Sequence, residues 1–172
     1  ESFGTTGVDD DGNGYIDDVN GWDVLHNNND PNPQSAGNDH GTHVAGISAA
    51  KTDNGIGVAG TAGDSTIMAI QWYTSGTSGW TAEVIAESFA YAVDNGARII
   101  NTSYNINGWV GDPVVIAGFQ YLYDMGGLHF NSAGNGAEAN PARQAFHQTF
   151  LTISTDSTDA KSSFSNWGTG CD

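Results

Sequence analysis

Two histidines three residues apart, His40 and His43, stand in the run Asp39-His40-Gly41-Thr42-His43-Val44-Ala45-Gly46. On a helix this spacing brings both imidazoles to one side, where they could share a zinc ion. The zinc-hydrolase pattern His-Glu-x-x-His needs a Glu that this run lacks. Its small residues Gly41, Ala45 and Gly46 predict a helix packed closely on a sheet, with one imidazole projecting from the first turn. Taken alone, the run leaves proton transfer, metal binding and a structural role all open for the pair.

A second chemistry-bearing segment is Asp9-Asp10-Asp11-Gly12-Asn13-Gly14-Tyr15-Ile16-Asp17-Asp18. Counted from Asp9, oxygen side chains fall at positions 1, 3, 5 and 9 (Asp9, Asp11, Asn13, Asp17), Gly14 holds position 6, and Tyr15 offers its carbonyl at 7. A hard cation needs six to eight converging oxygens from a tightly wound backbone, and this is calcium-loop spacing. Position 12 is Asn20 rather than the usual bidentate Glu, which predicts a weaker or differently completed site. Five carboxylates in these ten residues would otherwise form a self-repelling solvated turn. A further oxygen-rich stretch from Asn27 to Gln34, around Asp30, is a second candidate for calcium.

The whole chain shares that charge. Its 172 residues carry 20 Asp and Glu against 4 Lys and Arg, a net −16, and the first basic residue is Lys51. Such a chain repels phosphate backbones and anionic lipid surfaces, which excludes nucleic acid and membrane surfaces as partners. No apolar run reaches the ~20 residues a spanning helix needs. Cys171 is the only cysteine, so an internal disulfide is impossible. With 38% hydrophobic residues the length suffices for one globular core. The chain starts on Glu1 rather than Met, and we expect a processed or truncated end there.

Positioning these groups falls to alternating strands and helices. Residues 1–39 read as loop and 40–172 as an α/β body. The pattern predicts a helix over 40–50, a buried strand over 66–72 and a helix over about 82–95. Thr81 caps that second helix and Ile85, Phe89 and Val93 form its apolar stripe, with Gly96 as the stop. A strand over 98–102 follows, then a helix opened by Asp112-Pro113 and ended near Gly126-Gly127. Two more strands are expected over 128–132 and 150–154. The alternation argues for a doubly wound parallel sheet with helices on both faces. Functional groups in such sheets gather beyond the carboxyl ends of the strands, where His40, Ser103 and Asn135 would lie. Asn135-Gly136 by itself reads equally well as a turn.

His40-Gly-Thr-His-Val-Ala-Gly resembles the histidine signature of the subtilisin-like serine proteases, the subtilases (peptidase family S8). Gly12 to Trp22, Gly55-Ile56-Gly57-Val58-Ala59-Gly60, Ala92 to Ala97, Ser132-Ala133-Gly134-Asn135 and Ser163 to Gly168 resemble further family segments in the same order. The resemblance implies a serine endopeptidase with structural calcium that acts on peptides or proteins, secreted or extracellular. It implies that His40 is the general base and His43 structural, and that Asn135 donates to the oxyanion. Ser103 would bond an extended substrate backbone, and Trp80 would form an aromatic pocket wall.

Departures from the family pattern carry their own expectations. Its Asp-Thr/Ser-Gly motif and its Gly-Thr-Ser-Met-Ala motif are both absent from these residues, so the chain is expected to be a central fragment, incomplete at both ends and inactive alone. Gly76-Thr77-Ser78 imitates the serine motif but lies in a variable loop, so Ser78 is not the expected nucleophile; Asp39, adjacent to His40, is not the triad acid. Tyr104-Asn105 replace the usual Leu-Gly and Asn131-Ser132 the usual Ala-Ala, beside the primary specificity pocket, which implies a bulkier or more polar pocket. In the family the aspartate strand is central and the serine helix runs through the core. A chain without them is expected to expose edges and to self-associate or alter its local fold. The competing reading is a non-catalytic, calcium-dependent binding module on the same scaffold, and a zinc hydrolase built on His40 and His43 is the remaining one.

Overall fold

The structure, a computed structural model, describes residues 4–34, 38–72 and 80–171. The chain divides into two units, residues 1–80 and 81–172. In the first, β1 (Gly21–Asp23) pairs in parallel with β2 (Ala69–Gln71), Gly21 opposite Ala69 and Asp23 opposite Gln71. A side chain at Gly21 would stand 1.8 Å from the Ala69 carbonyl, and its φ of +115° also favours glycine. β1 lies in the region read as loop: its Gly-Trp-Asp run is too short and polar to show a strand period.

Helix α1 (His40–Ala49) begins at His40 as expected. Its last carbonyls are taken up by Gly60, Thr61 and Ala62, whose amides donate to Ala50, Ile47 and Ser48. Gly60 allows that approach, because a Cβ there would fall 2.4 Å from the Ala50 nitrogen. The close packing expected of α1's small residues is not found among the described residues: α1 buries none of its side chains, and Gly41 and Gly46 face open space. Small residues permit close approach without supplying a partner.

The second unit begins with α2 (Ala82–Asp94) and continues through β3 (Ile99–Thr102), α3 (Pro113–Asp124), β4 (Leu128–Ser132) and β5 (Thr149–Thr152). Thr81 accepts the Val84 amide at the head of α2. Asp112 accepts those of Val114 and Val115 at the head of α3, with Pro113 in its first turn. Gly96 and Gly126, both at positive φ, close the two helices. The stripe Ile85, Phe89 and Val93 meets Val115, Phe119 and Leu122 in one core with Ile106 and Phe146. The helices pack tightly where Gly118 faces Ala86; a Cβ there would sit 2.9 Å from the Ala86 Cα.

Strands β3, β4 and β5 form a parallel sheet in that order, Ile100 opposite His129 and Phe130 opposite Phe150. The parallel α/β architecture is thus the expected one, with the described strands divided between two sheets. Thr102, His129, Asn131 and Leu151 are buried, and the His129 ring lies against Phe89 and Phe119 on α2 and α3. Alternate residues Ile99, Leu128 and Phe150 are exposed on the other face, where Phe150 stacks on Phe130 at 5.3 Å.

Candidate active site

His40 is the first residue of α1 and its imidazole is exposed, as is that of His43 one turn on. Neither imidazole makes a hydrogen bond among the described residues. Asp39 precedes the helix without bonding its amides through its side chain. Both imidazoles therefore stand open to solvent. No group of three or more His, Cys, Asp or Glu side chains placed to hold a metal occurs among the described residues, so the pair has no third ligand there. Trp80, the expected aromatic wall, packs edge-on against Trp72 at 4.9 Å. The imitating segment Gly76-Thr77-Ser78 lies outside the described residues.

In the second unit the remaining candidates cluster at the carboxyl ends of β3 and β4. Asn135 is exposed on the turn that follows β4, with its amide unbonded among the described residues. Gly134 before it has φ +106°, and a Cβ there would approach the Asn166 amide nitrogen to 2.6 Å. Buried Asn166 holds this turn from both sides. Its Nδ2 donates to the Ala133 carbonyl at 2.9 Å, and its Oδ1 accepts from Gly136 and Glu138, each at 2.9 Å. Ala137 is held at φ +52°, an uncommon conformation for a residue with a Cβ.

Ser103 and Tyr104 follow β3. The Ser103 hydroxyl accepts from Asn101 Nδ2 at 3.0 Å. Burial pushes the Tyr104 phenol pKa well up, so it stays a neutral donor. The Tyr104 carbonyl accepts from Asn131 Nδ2 at 2.9 Å and from Arg143 at 3.3 Å, and Ser132 gives its carbonyl to the same guanidinium at 2.7 Å. The sequence thus places Ser103, Tyr104, Ser132 and Asn135 on neighbouring strand ends, and the structure brings them together there. Arg143 and Asn166 hold these strand ends without any local sequence pattern that marks them. The available signal was thin: Arg143 is one of four basic residues, and Asn166 lies inside the matched segment Ser163 to Gly168.

The acidic loop is wound by Gly12 and Gly14 at positive φ and by Asp17 at φ +57°. Its carboxylates turn onto the loop's own amides. Asp9 accepts from Gly12, Asn13 and Gly14, Asp11 accepts from Asn13, and Asp17 accepts from Gly7. The Gly14 amide first, opposed in part by burial, holds Asp9 below the usual carboxylate range, so it is anionic. Asn13 donates to Asp18 at 3.0 Å and accepts from Tyr15. Asn29 donates to the Asp17 carbonyl at 3.3 Å, joining the second oxygen-rich stretch to the first beside an open cleft of about 350 Å³. The donors are all oxygen, three carboxylates with the neutral Asn13 amide and Tyr15 carbonyl, a type that suits a hard cation. Their carboxylates are turned onto the loop's amides, however, and among the described residues do not converge as a group of three metal ligands. Asp30, in the second stretch, spends its carboxylate on Asn32 and Gln34.

A further acid lies at the end of β1. Buried Asp23 accepts from His26 Nδ1 at 2.7 Å and from the His26 amide at 2.9 Å, while the His26 side chain is 43% exposed. This Asp–His pair is separate from His40 in sequence.

Known proteins give the context for these sites. The model of the subtilase family, Peptidase S8, matches residues 4–172. Thermitase from Thermoactinomyces vulgaris is 40% identical over 156 residues, 90% of this chain and 53% of thermitase. A halolysin-like extracellular serine protease, Nep, from Natrialba magadii is 35% identical over 149 residues, 86% of this chain and 27% of Nep. The chain therefore spans about half, or less, of these relatives. Among solved structures, the protease domain of PatA superposes with a TM-score of 0.66 at 23% identity, over 83% of this chain and 52% of that domain, which supports the fold. With its histidine signature and its other matched segments inside that span, the chain belongs to the subtilase family.

Proposed function

We propose that this chain is the histidine- and asparagine-bearing part of a secreted serine endopeptidase that hydrolyses peptide bonds through an acyl-enzyme. The observation that carries the reading is His40: within its signature run it opens α1 with an exposed imidazole that has no hydrogen bond among the described residues. A serine from elsewhere in the catalytic domain attacks the substrate carbonyl, and His40 takes the hydroxyl proton. His40 then returns that proton to the departing amine. Water repeats the cycle on the ester and frees the second product. Asn135 donates from Nδ2 to the oxyanion, which develops only in the tetrahedral state, so its contribution falls on the rate rather than on ground-state binding. Ser103 aligns the substrate backbone, Tyr104 and Ser132 wall the side-chain pocket, and Trp80 is a separate aromatic contact for substrate.

Calcium is the proposed structural cofactor of the loop from Asp9 to Asp17, through Asp9, Asp11, Asn13, the Tyr15 carbonyl and Asp17. When bound it supplies a crosslink that a chain with one cysteine lacks. Terbium luminescence with competition by calcium tests this; silence up to millimolar ion overturns it. Secretion is favoured by the acidic composition and by the extracellular relative, and detection only inside washed cells would refute it. The exposed face with Ile99, Leu128 and Phe150 supports self-association of the isolated chain, read by sedimentation as mass rising with concentration.

The deciding experiment is turnover of a chromogenic peptide by the full-length protein that carries this chain. A serine-directed phosphonate should abolish it. His40→Ala should lower kcat by roughly 10⁴-fold or more. Asn135→Ala should lower it about 10²- to 10³-fold with little change in KM. The 172 residues alone, which hold neither flanking triad motif, should turn nothing over. A full-length protein that binds calcium but cleaves no peptide would replace this reading with the calcium-dependent binding module.

A further inference from the structure

Arg143 is 2% exposed, yet among the described residues no carboxylate lies within ion-pair distance of it. A buried cation with no carboxylate bonded to it persists only if its donors are met; here its hydrogen bonds all go to neutral oxygens, with Glu138 acting on it only through its charge. Nε donates to Asn107 Oδ1 at 2.9 Å, and Nη2 to Asn105 Oδ1 at 2.6 Å. Nη1 faces the Tyr104 carbonyl at 3.3 Å, Asn131 Oδ1 at 3.2 Å and the Ser132 carbonyl at 2.7 Å. The Arg143 amide also bonds Asn107 Oδ1 at 3.0 Å.

These partners come from two separate stretches of chain. Tyr104, Asn105 and Asn107 follow β3, whereas Asn131 and Ser132 end β4. They are also the stretches where this sequence departs from the family's Leu-Gly and Ala-Ala. Two of the departures, Asn105 and Asn131, put their side-chain oxygens on the guanidinium. Asn131 spends its amide nitrogen on the Thr102 and Tyr104 carbonyls, so neither of its polar atoms is left for a ligand. The polarity of these positions is thus directed inward. Burial pulls the guanidinium pKa down from its ordinary value, opposed in part by the charges of Glu138 and Cys171.

We propose that Arg143 is the positioning residue of the substrate pocket, a cation that ties the segment Tyr104–Asn107 to the end of β4 and so fixes the separation of the pocket's two walls. This rests on the reading that Tyr104 and Ser132 line the pocket. The walls do not touch substrate through Arg143; their spacing is what it sets. Asn105 and Asn131 serve the cation, and the pocket selects by its width rather than by free amide groups. Lys cannot replace Arg here, since one ammonium cannot span acceptors on both segments in a planar fork.

The test uses Arg143→Met, Arg143→Lys and the milder Asn105→Ala in the full-length protein. Amide hydrogen exchange is the first readout. Removing several charge-assisted bonds should speed exchange about tenfold or more at residues 103–107 and 132–136, while the buried amides of α2 keep their protection. Arg143→Lys should restore only part, and Asn105→Ala, which removes one contact, should give a smaller change of the same sign. Unchanged exchange at both segments overturns the proposal, as does a rise shared equally by α2. If Arg143→Met does not fold, the Lys and Asn105 variants decide it. The second readout is kcat/KM over peptides that differ only in the residue before the scissile bond. Arg143→Met should flatten discrimination among them through KM while kcat for the best peptide changes little. A wild-type protein that cleaves none of them refutes the protease reading, and the exchange data still decide the clamp.

Discussion

His129 shows how one side chain can record its surroundings. It is fully buried, its Nε2 lies 2.7 Å from the Thr102 hydroxyl and its Nδ1 2.8 Å from the Thr149 hydroxyl, and it bridges all three strands of its sheet. Burial drives its pKa from 6.5 down to about 3, so the folded protein holds it neutral. Between these values the unfolded chain binds a proton that the folded one does not. Stability therefore falls as pH drops from 6.5 toward 3, by up to about 1.4 kcal/mol per pH unit from this group. Urea midpoints at pH 7, 5 and 4 should show the fall, and His129→Asn should lose most of the slope; an unaltered slope would assign it elsewhere. Asp9, Asp30 and Asp156, held below their ordinary 3.8, and Glu83, held below 4.5, add their own losses once the pH falls under about 5, so the fall between pH 7 and 5 is the part that isolates His129. Gly134 gives a second prediction at this scale. With φ +106° and Asn166 in the path of a Cβ, Gly134→Ala should cost roughly 1–3 kcal/mol in chemical denaturation and displace Asn135.

At the scale of elements, local rules governed most of the fold. Thr81 and Asp112 cap α2 and α3, positive-φ glycines end both, and the helical stripes face each other in the core. Asp112 accepts two amides, so Asp112→Ala should destabilise the second unit by about 1–2 kcal/mol, read as a lower denaturant midpoint with an unchanged m-value. A change below a few tenths would mean that Pro113 and packing alone set the start of α3. Strand β4 spans the five residues that its pattern predicts, whereas the three residues of β1 carry no strand period. Its three residues become a strand only because β2 offers a parallel partner and Gly21 fits beneath the Ala69 carbonyl. Element-level pattern also differs from the structure at α1, where Gly41 and Gly46 face open space.

For the molecule as a whole, charge is the dominant property. A net −16 on 172 residues opposes compaction through self-repulsion that mobile ions screen. Raising sodium chloride from about 0.02 to 0.5 M should lift the thermal midpoint by several degrees, a shift read by calorimetry. A midpoint indifferent to salt would show that the carboxylates are already compensated. The proposed calcium loop makes a distinct contribution, because a site-bound ion should act at concentrations too low to alter general screening.

The amino-acid sequence by itself determined the family, the acidic loop, the positions of the main helices and strands, and the place of Ser103, Tyr104, Ser132 and Asn135 near strand ends. Each is encoded in contiguous residues: a signature run, a cap, a period or a turn. Tertiary structure alone decided what surrounds them. Arg143 reaches partners 36 to 39 residues away at Asn107, Asn105 and Tyr104, and Asn166 grips a turn some 30 residues upstream. Polar residues such as Asn105 and Asn131 read locally as a more polar pocket. Only the folded chain reveals that a buried cation consumes their oxygens, because the cost of burying charge is met by groups that chain topology brings together from distant positions.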